Sequence, residues 1–422
     1  AFFPSVSAAW RISEENFWQP LKGWWNDMKI RGSYGSLGNQ VMDNLGNFPY
    51  LATYGTNSSY NYLINGSKPV IVKAPGLVAS DFTWETVTQM DFGFDASFLN
   101  NRLTGTFDWY RRNTKDMLVA GATLPATLGA SVPKSNSADM KTIGWELSLG
   151  WNDRLENGFS YWVKGVLSDY QATITKYAGN DAGFYSQSDG DGKYYVGQKI
   201  GEIWGYHSNG LFQSDDEAAT IDQSELYAGK WGAGDVKYED LDGDGKITKG
   251  EETIYNPGDK SIIGNKTPRY QFGITVGFDY KNFDFEMFWQ GTGKRDYMLS
   301  GAQFWGFTSQ WDVPYTPALD YWTETNTDAY FPRPGWQNGG NRVTSDRYLQ
   351  SAAYGRLKNL TVGYTIPKNL TTKWGISRLR LYVTGENLLT ITPLNDAFDP
   401  ETLGGLTYPI NRKVAIGLNL TL

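Results

Sequence analysis

Residues 89–113 read QMDFGFDASFLNNRLTGTFDWYRRN, and the spacing of their greasy side chains decides the fold. Taken as a strand, Gln89 to Phe98 puts Met90, Phe92, Phe94, Ala96 and Phe98 on one face, with Gln89, Asp91, Gly93, Asp95 and Ser97 on the other. After the polar turn Leu99-Asn100-Asn101-Arg102 the alternation resumes, Leu103, Gly105, Phe107 and Trp109 opposing Thr104, Thr106, Asp108 and Tyr110. The stretch is a long β-hairpin. One of its faces asks for apolar surroundings and the other for water.

A sandwich in water alternates in the same way, so the hairpin alone leaves the environment open. Strand length discriminates. Each arm runs to about ten residues, against a soluble mode of about five to six and a membrane-spanning need of about nine to eleven. Aromatics gather near the strand ends, as in the interfacial girdles of outer-membrane barrels. Composition agrees: aromatic residues make up 15% of the 422-residue chain, which carries 48 glycines. Mean hydropathy is -0.47, and no run of about eighteen apolar residues occurs, so no transmembrane helix is expected. A closed barrel is the other way to cross a bilayer. The formal net charge of -7 argues against nucleic acid. With no cysteine and a single histidine, His207, disulfides, thiolate metal sites and most histidine-based catalysis fall away.

Taken in order, the sequence predicts about eleven strands. Ser5–Ile12 and Met28–Tyr34 open the chain, then the 89–113 hairpin. A second hairpin alternates Ile143, Trp145, Leu147, Leu149 and Trp151, then returns through Phe159, Tyr161, Val163 and Leu167. A third joins Phe272, Ile274, Val276 and Phe278 to Phe285, Met287 and Trp289. Leu360–Tyr364, Leu379–Val383 and Val414–Leu422 complete the set. Connections alternate between short (13–27, 99–102, 152–158, 280–283, 366–377) and long (35–81, 114–138, 170–270, 291–347, 388–411). Outer-membrane barrels have this asymmetry, with short periplasmic turns and long extracellular loops. An odd strand number, where single-chain barrels use an even one, implies that the chain opens mid-barrel, and the sequence does not open on a signal peptide, as expected of a fragment whose N-terminal part is missing. The expected organisation is therefore one domain, residues 1–422 being the C-terminal part of a barrel. Large extracellular loops are expected at 170–270 and 291–347.

Several phrases carry a family resemblance: AFFPSVSAAWRISEE at the start, MKIRGSYGSLGNQ, WETVTQMDFGFDASFLNNRLTGTFDWYRRNTKDML, IGWELSLGW, IWGYHSNGLFQSDDE, GDVKYEDLDGDGKIT, RLKNLTVGYTIPKNL and TGENLLTITPLNDAFDPE. Together they resemble the C-terminal half of SusC/RagA-type TonB-dependent transporters of Bacteroidota, across nearly the whole chain. The resemblance implies a 22-stranded barrel with a plugged lumen, a SusD-like lipoprotein lid and energy from TonB through an N-terminal box. The plug and that box would lie outside these residues.

The sharpest local motif is the run Asp240, Asp242, Asp244, Gly245, Lys246 and Glu251. It fills the twelve-residue calcium loop, with carboxylates at 1, 3 and 5, glycine at 6, a backbone carbonyl at 7 and glutamate at 12. A structural Ca²⁺ inside the 170–270 loop is the expectation, against an ion-free acidic turn. Asp189-Gly190-Asp191 lacks the later ligands and reads as a turn. Trp204, Tyr206, Trp231, Trp305, Trp311, Tyr315 and Trp322 are candidates for substrate contact or, equally, for packing within the loops. His207 reads as a loop hydrogen-bonding residue. Asp91, Asp95, Asp108, Glu146, Lys164, Asp279, Glu286, Arg380 and Glu386 point to the wet side and would line the lumen. Carboxylates are plentiful, but no motif singles out a glycosidase pair, so no enzyme is expected.

The reading is active import of a large nutrient, an oligosaccharide favoured over a peptide. Its rivals are a secreted calcium-binding adhesive or carbohydrate-binding β-protein, and a surface glycosidase.

Overall fold

The computed structural model describes residues 2–39, 50–57, 63–64, 66–68, 70–73, 75–79, 82–120, 125, 127, 132–178, 180, 183, 194–403 and 408–422. Asp81, Asp189 and Asp191 lie outside them. One antiparallel sheet of eleven strands dominates, each strand pairing with its sequence neighbour in the sheet. The strands are β1 (Ser5–Trp10), β2 (Trp25–Asn39), β3 (Glu85–Phe98), β4 (Leu103–Ala120), β5 (Lys134–Arg154) and β6 (Ser160–Tyr177). They continue as β7 (Arg269–Tyr280), β8 (Phe283–Lys294), β9 (Tyr354–Thr365), β10 (Arg378–Ile391) and β11 (Lys413–Thr421). Among the described residues β1 and β11 do not pair, so the sheet is a curved wall with two free edges.

Register carries the alternation from strand to strand. Phe92 faces Trp109, Phe94 faces Phe107 and, on the other surface, Gly93 faces Asp108. Val163 aligns with Val276 and Gly165 with Ile274, and Ile274 in turn aligns with Trp289. A band formed by Phe92, Val163, Ile274, Val362, Val383 and Ile416 is exposed, with Phe92 at 51% and Ile416 at 84%. Each long strand of the wall packs mainly on its two neighbours, so among the described residues no second layer covers this face. A continuous apolar surface of that extent is unsuited to water. That settles the choice between sandwich and barrel.

Aromatic rings close ranks at the short-turn end. Trp25 stacks on Phe98 at 5.1 Å, Phe159 on Phe278 at 5.4 Å, Phe278 on Phe285 at 5.0 Å, and Phe283 meets Tyr364 at 4.7 Å. The turn at 99–101 places three consecutive non-glycine residues at positive φ (55, 59 and 62°), with the Arg102 amide donating to the Leu99 carbonyl at 3.3 Å. Gly277 is required by close approach: the Trp162 ring lies across it on the wet face, where a Cβ would collide.

Strand boundaries depart from the sequence reading mainly at the long-connection end. Strand β2 runs on to Asn39, and β5 spans 21 residues. The 114–138 connection shrinks to 121–133, because strands β4 and β5 continue past the alternating stretch through a bulge beside Thr114 and Met117. Asn136 stitches that bulge by donating to the Asp116 carbonyl at 2.6 Å. At the other end, residues 12–21 wind into two 3-10 turns where the first strand was expected to persist to Ile12.

Candidate functional site

Three long connections fold into one cap. Tyr206, Leu211, Val236, Tyr238 and Ile247 of the 178–268 segment bury against Leu299, Phe304, Phe331, Tyr348 and Ala352 of 295–353. Leu394, Phe398 and Leu403 of 392–412 complete the same core. These segments lack helical or strand periodicity, so the aromatic rings themselves supply the apolar area that orders so much irregular chain. Trp305 sits edge-on to Tyr348 at 4.6 Å, and Phe331 stacks on Tyr348 at 6.0 Å.

Polar clasps fix the segments to each other. Asp235, fully buried, accepts two hydrogen bonds from Arg333 at 2.8 and 2.6 Å, one from the Asn341 amide at 2.8 Å and one from the Gly232 backbone at 2.9 Å. His207 bridges Asp346 and Ser261, both at 2.7 Å, as the loop hydrogen-bonding reading expects. On the wall, Arg356 joins Asp399 at 2.6 Å and Glu401 at 3.2 Å. A bulge between Leu357 and Asn359 turns Lys358 to the same side, where it also reaches Glu401 at 3.1 Å. Nothing in the sequence marks Asp235, which reads as one more acid in a turn.

Of the aromatics proposed for substrate contact, four belong to the cap's packing. Tyr206 is 3% exposed, and Trp231, Trp305 and Trp322 pack on the shared core. Trp311, at 82%, and Tyr315, at 47%, stand exposed. Trp204 lines a cleft between the first two segments.

The acidic loop is wound tightly. Asp240 accepts from the Gly243 and Gly245 amides at 2.6 and 2.7 Å, which holds its carboxyl below the usual carboxylate range, the Gly245 amide contributing most. Asp242 accepts from the Asp244 amide at 3.1 Å and Asp244 from the Lys246 amide at 2.8 Å. Gly243 and Gly245 sit at φ 78 and 82°, and the turn needs that freedom. Buried Asp259 closes the loop through the Leu241 and Thr248 amides at 2.8 and 2.6 Å. As a result, Asp240, Asp242 and Asp244 bring one carboxylate oxygen each within 4.8 Å of one another. Glu251 is not in that group and lines the cleft that holds Trp204. Three mutually close carboxylates repel one another unless a cation sits among them.

The wet face of the wall carries paired charge. Arg31 bridges Asp95 at 3.2 Å and Asp108 at 2.8 Å. Arg380 grips Asp284 at 2.8 Å. Near the short turns, Trp162, Asp279, Asp284, Glu286 and Arg380 line a hollow of about 630 Å³.

This wall has known counterparts. Residues 1–388 match the family described as TonB dependent receptor-like, beta-barrel. The chain belongs to that family. TonB-dependent receptor P3 of Formosa agariphila is 30% identical over 100% of the chain, and TonB-dependent receptor SusC of Bacteroides thetaiotaomicron 26% over 99%. The chain spans 42% and 40% of those two relatives' lengths. The fold is that of the RagAB peptide transporter structure, with a TM-score of 0.76 at 22% identity, covering 100% of this chain and 43% of that one. The TonB-dependent receptor barrel is an outer-membrane structure of the SusC/RagA type, so the exposed apolar band is its lipid face. Its charged face is the lumen wall, where Asp91, Asp95, Asp108, Glu146, Lys164, Asp279, Glu286 and Arg380 lie in register. Outer-membrane residence removes the secreted adhesive or carbohydrate-binding alternative.

Proposed function

We propose that this chain is the C-terminal part of a transporter that actively imports a large nutrient, an oligosaccharide in preference to a peptide, across the outer membrane. The observation that carries the reading is a folded, three-segment cap standing over a charged lumen wall in a TonB-dependent receptor barrel. Import needs a wet passage, a gate and an energy source, and no bond in the cargo has to break. On this reading the 178–268 and 295–353 connections are extracellular, and the remaining strands, plug and TonB-contacting segment belong to the rest of a 22-stranded transporter. A SusD-like lipoprotein would act as the lid, in keeping with the likeness to SusC. The passage itself asks for no catalytic residues, so an enzyme such as a surface glycosidase is the weaker reading.

Within the cap, Ca²⁺ fits the chemistry of the acidic loop. Asp240, Asp242 and Asp244 would hold it, with the Lys246 carbonyl at the motif's seventh position, whereas Glu251, its twelfth, stands outside the group and lines the Trp204 cleft. Bound there, the ion would neutralise three carboxylates and brace the 178–268 segment, a structural clamp.

Growth of a deletion strain on a panel of glycans and peptides tests the import reading. Loss of growth on one or more oligosaccharides is the expected result. Unimpaired growth on every glycan, with a defect on peptides, would replace the oligosaccharide by a peptide cargo.

A further inference from the structure

We propose that the cleft between the 178–268 and 295–353 segments is a binding subsite for a neutral oligosaccharide, with Trp204 as its stacking surface. This rests on the import reading above and names where the cargo is first held. The cleft measures about 690 Å³, inside the range of roughly 300–1,000 Å³ typical of small-molecule sites.

Its walls come from both segments, so it exists only when the cap is assembled. Charged residues of both signs line it in equal number, Glu225, Glu251 and Glu252 against Lys249, Lys260 and Arg342. An ionic ligand would meet repulsion from half of them. A sugar's hydroxyls donate to carboxylates and accept from cations, so mixed charge suits a neutral polyol. One cation is already positioned: Lys260, with its side chain 7% exposed, reaches Glu252 at 2.8 Å and lies 5.7 Å over the Tyr206 ring. The Glu251 carboxylate is exposed and stands outside the three-aspartate group. Trp204 meets Tyr195 edge to face at 6.4 Å, and that contact fixes its ring.

A peptide would most readily bind such a floor by adding a strand to an unpaired edge. That edge is taken. In the Glu202–Tyr206 strand, the Tyr206 amide donates to the Thr344 carbonyl at 2.9 Å, and the Tyr206 carbonyl accepts from Asp346 at 3.1 Å. The opposite edge pairs with Lys260–Asn265. At Tyr206 backbone recognition is therefore closed off, which favours recognition through side chains.

The test uses the full-length transporter in detergent, with saturating calcium, titrated calorimetrically with a panel of neutral linear and branched hexose oligosaccharides. At least one should bind the unmutated protein. Trp204→Ala should weaken that binding by about tenfold, Trp204→Tyr should stay within about threefold, and Glu251→Gln should cost roughly fivefold. Glu251 is exposed, so its variant decides the matter if Trp204→Ala melts early. Glycan binding that is equal in Trp204→Ala and Glu251→Gln overturns the subsite and leaves the import reading standing. Failure of every glycan to bind also overturns it. In that case growth of the deletion strain on the same glycans reports separately on import, and tight binding of unstructured peptides would replace the oligosaccharide by a peptide cargo.

Discussion

The Arg356 guanidinium on the lumen wall meets the Asp399 carboxylate of the last long connection at 2.6 Å, with the arginine side chain only 3% exposed. Glu401 adds an ion pair at 3.2 Å, and the Thr390 hydroxyl accepts a hydrogen bond from the guanidinium at 2.8 Å. A buried cation without its partners is costly, and so are buried carboxylates without their cation. Arg356→Met should therefore loosen the 392–403 segment by about 3 kcal/mol. Hydrogen exchange of its backbone amides is the measurement. Adding Asp399→Asn and Glu401→Gln to Arg356→Met should recover much of the protection, because no lone charge is then left behind. Full protection in the single variant would mean that the apolar contacts of Leu394 and Phe398 hold the segment unaided.

Asp235 plays the equivalent part between the two larger segments. Asp235→Ala strands the Asn341 side-chain amide and the Gly232 N–H as well as Arg333. The expected loss is about 3 kcal/mol of cap stability. Limited proteolysis should then cut 295–353 much faster, while the barrel strands stay resistant. A cleavage pattern identical to that of the unmutated protein would rule out the clasp.

Calcium should be found at roughly one ion per chain by elemental analysis of the unmutated protein, and be lost in the Asp242→Ala, Asp244→Ala double variant. At a calcium concentration of about 100 times its dissociation constant, binding would stabilise the cap by about 2.7 kcal/mol. Chelation should accordingly loosen the 194–268 segment in the unmutated protein and leave the double variant unchanged. Absence of calcium from the unmutated protein removes the site.

The wall was legible in the sequence because lipid and water impose a period of two on every spanning strand. Phe92 against Asp91, or Ile274 against Thr275, announces its face without any knowledge of neighbours. The eleven strands were countable for that reason. In the cap the burden passes to largely irregular chain, whose short strands, such as Glu202–Tyr206, are too brief to announce a period. Trp305 and Trp311 are six residues apart and look alike in sequence, yet one packs on Tyr348 and the other stands in the open. The acidic loop could be read because glycines and aspartates at fixed offsets dictate their own local turn. The turning of Glu251 toward the cleft could not, since its backbone is held by the Asn256 carbonyl, beyond the motif. Lys358 was hidden for a similar reason, because a bulge changes the side on which a residue falls.

Acid should loosen the cap at a pH set by its exposed carboxylates. Asp215 is held below the ordinary carboxylate range by the Ala233 amide and then Lys230, Glu217 by the Gln213 amide and then Lys237, and Asp312 by Thr308. Groups whose folded pKa is depressed stabilise the fold above their unfolded values of about 3.9 for Asp and 4.3 for Glu. That contribution disappears as pH falls through the lower folded values. Near-ultraviolet circular dichroism of the cap should stay flat from about pH 7 to 5 and decline only below about pH 4. A decline beginning well above pH 5 would mean that groups other than these carboxylates set the acid limit of the cap.

Neighbouring residues of β7 offer the sharpest test of the wall. Ile274 lies in the apolar band between Gly165 and Trp289, and Thr275 lies on the opposite face between Lys164 and Phe288. Lysine on the lipid face near mid-membrane costs about 2–4 kcal/mol, whereas lysine on the lumen side meets water. Ile274→Lys should therefore lower the urea midpoint and the heat resistance of the full-length barrel in lipid vesicles, and Thr275→Lys should leave both close to unmutated values. The two positions share strand, depth and introduced charge, so a difference between them reads the facing of the side chain alone. Equal tolerance of both substitutions would mean that the band of Phe92, Val163, Ile274 and Val383 does not face hydrocarbon, and the passage inferred behind it would lose its wall.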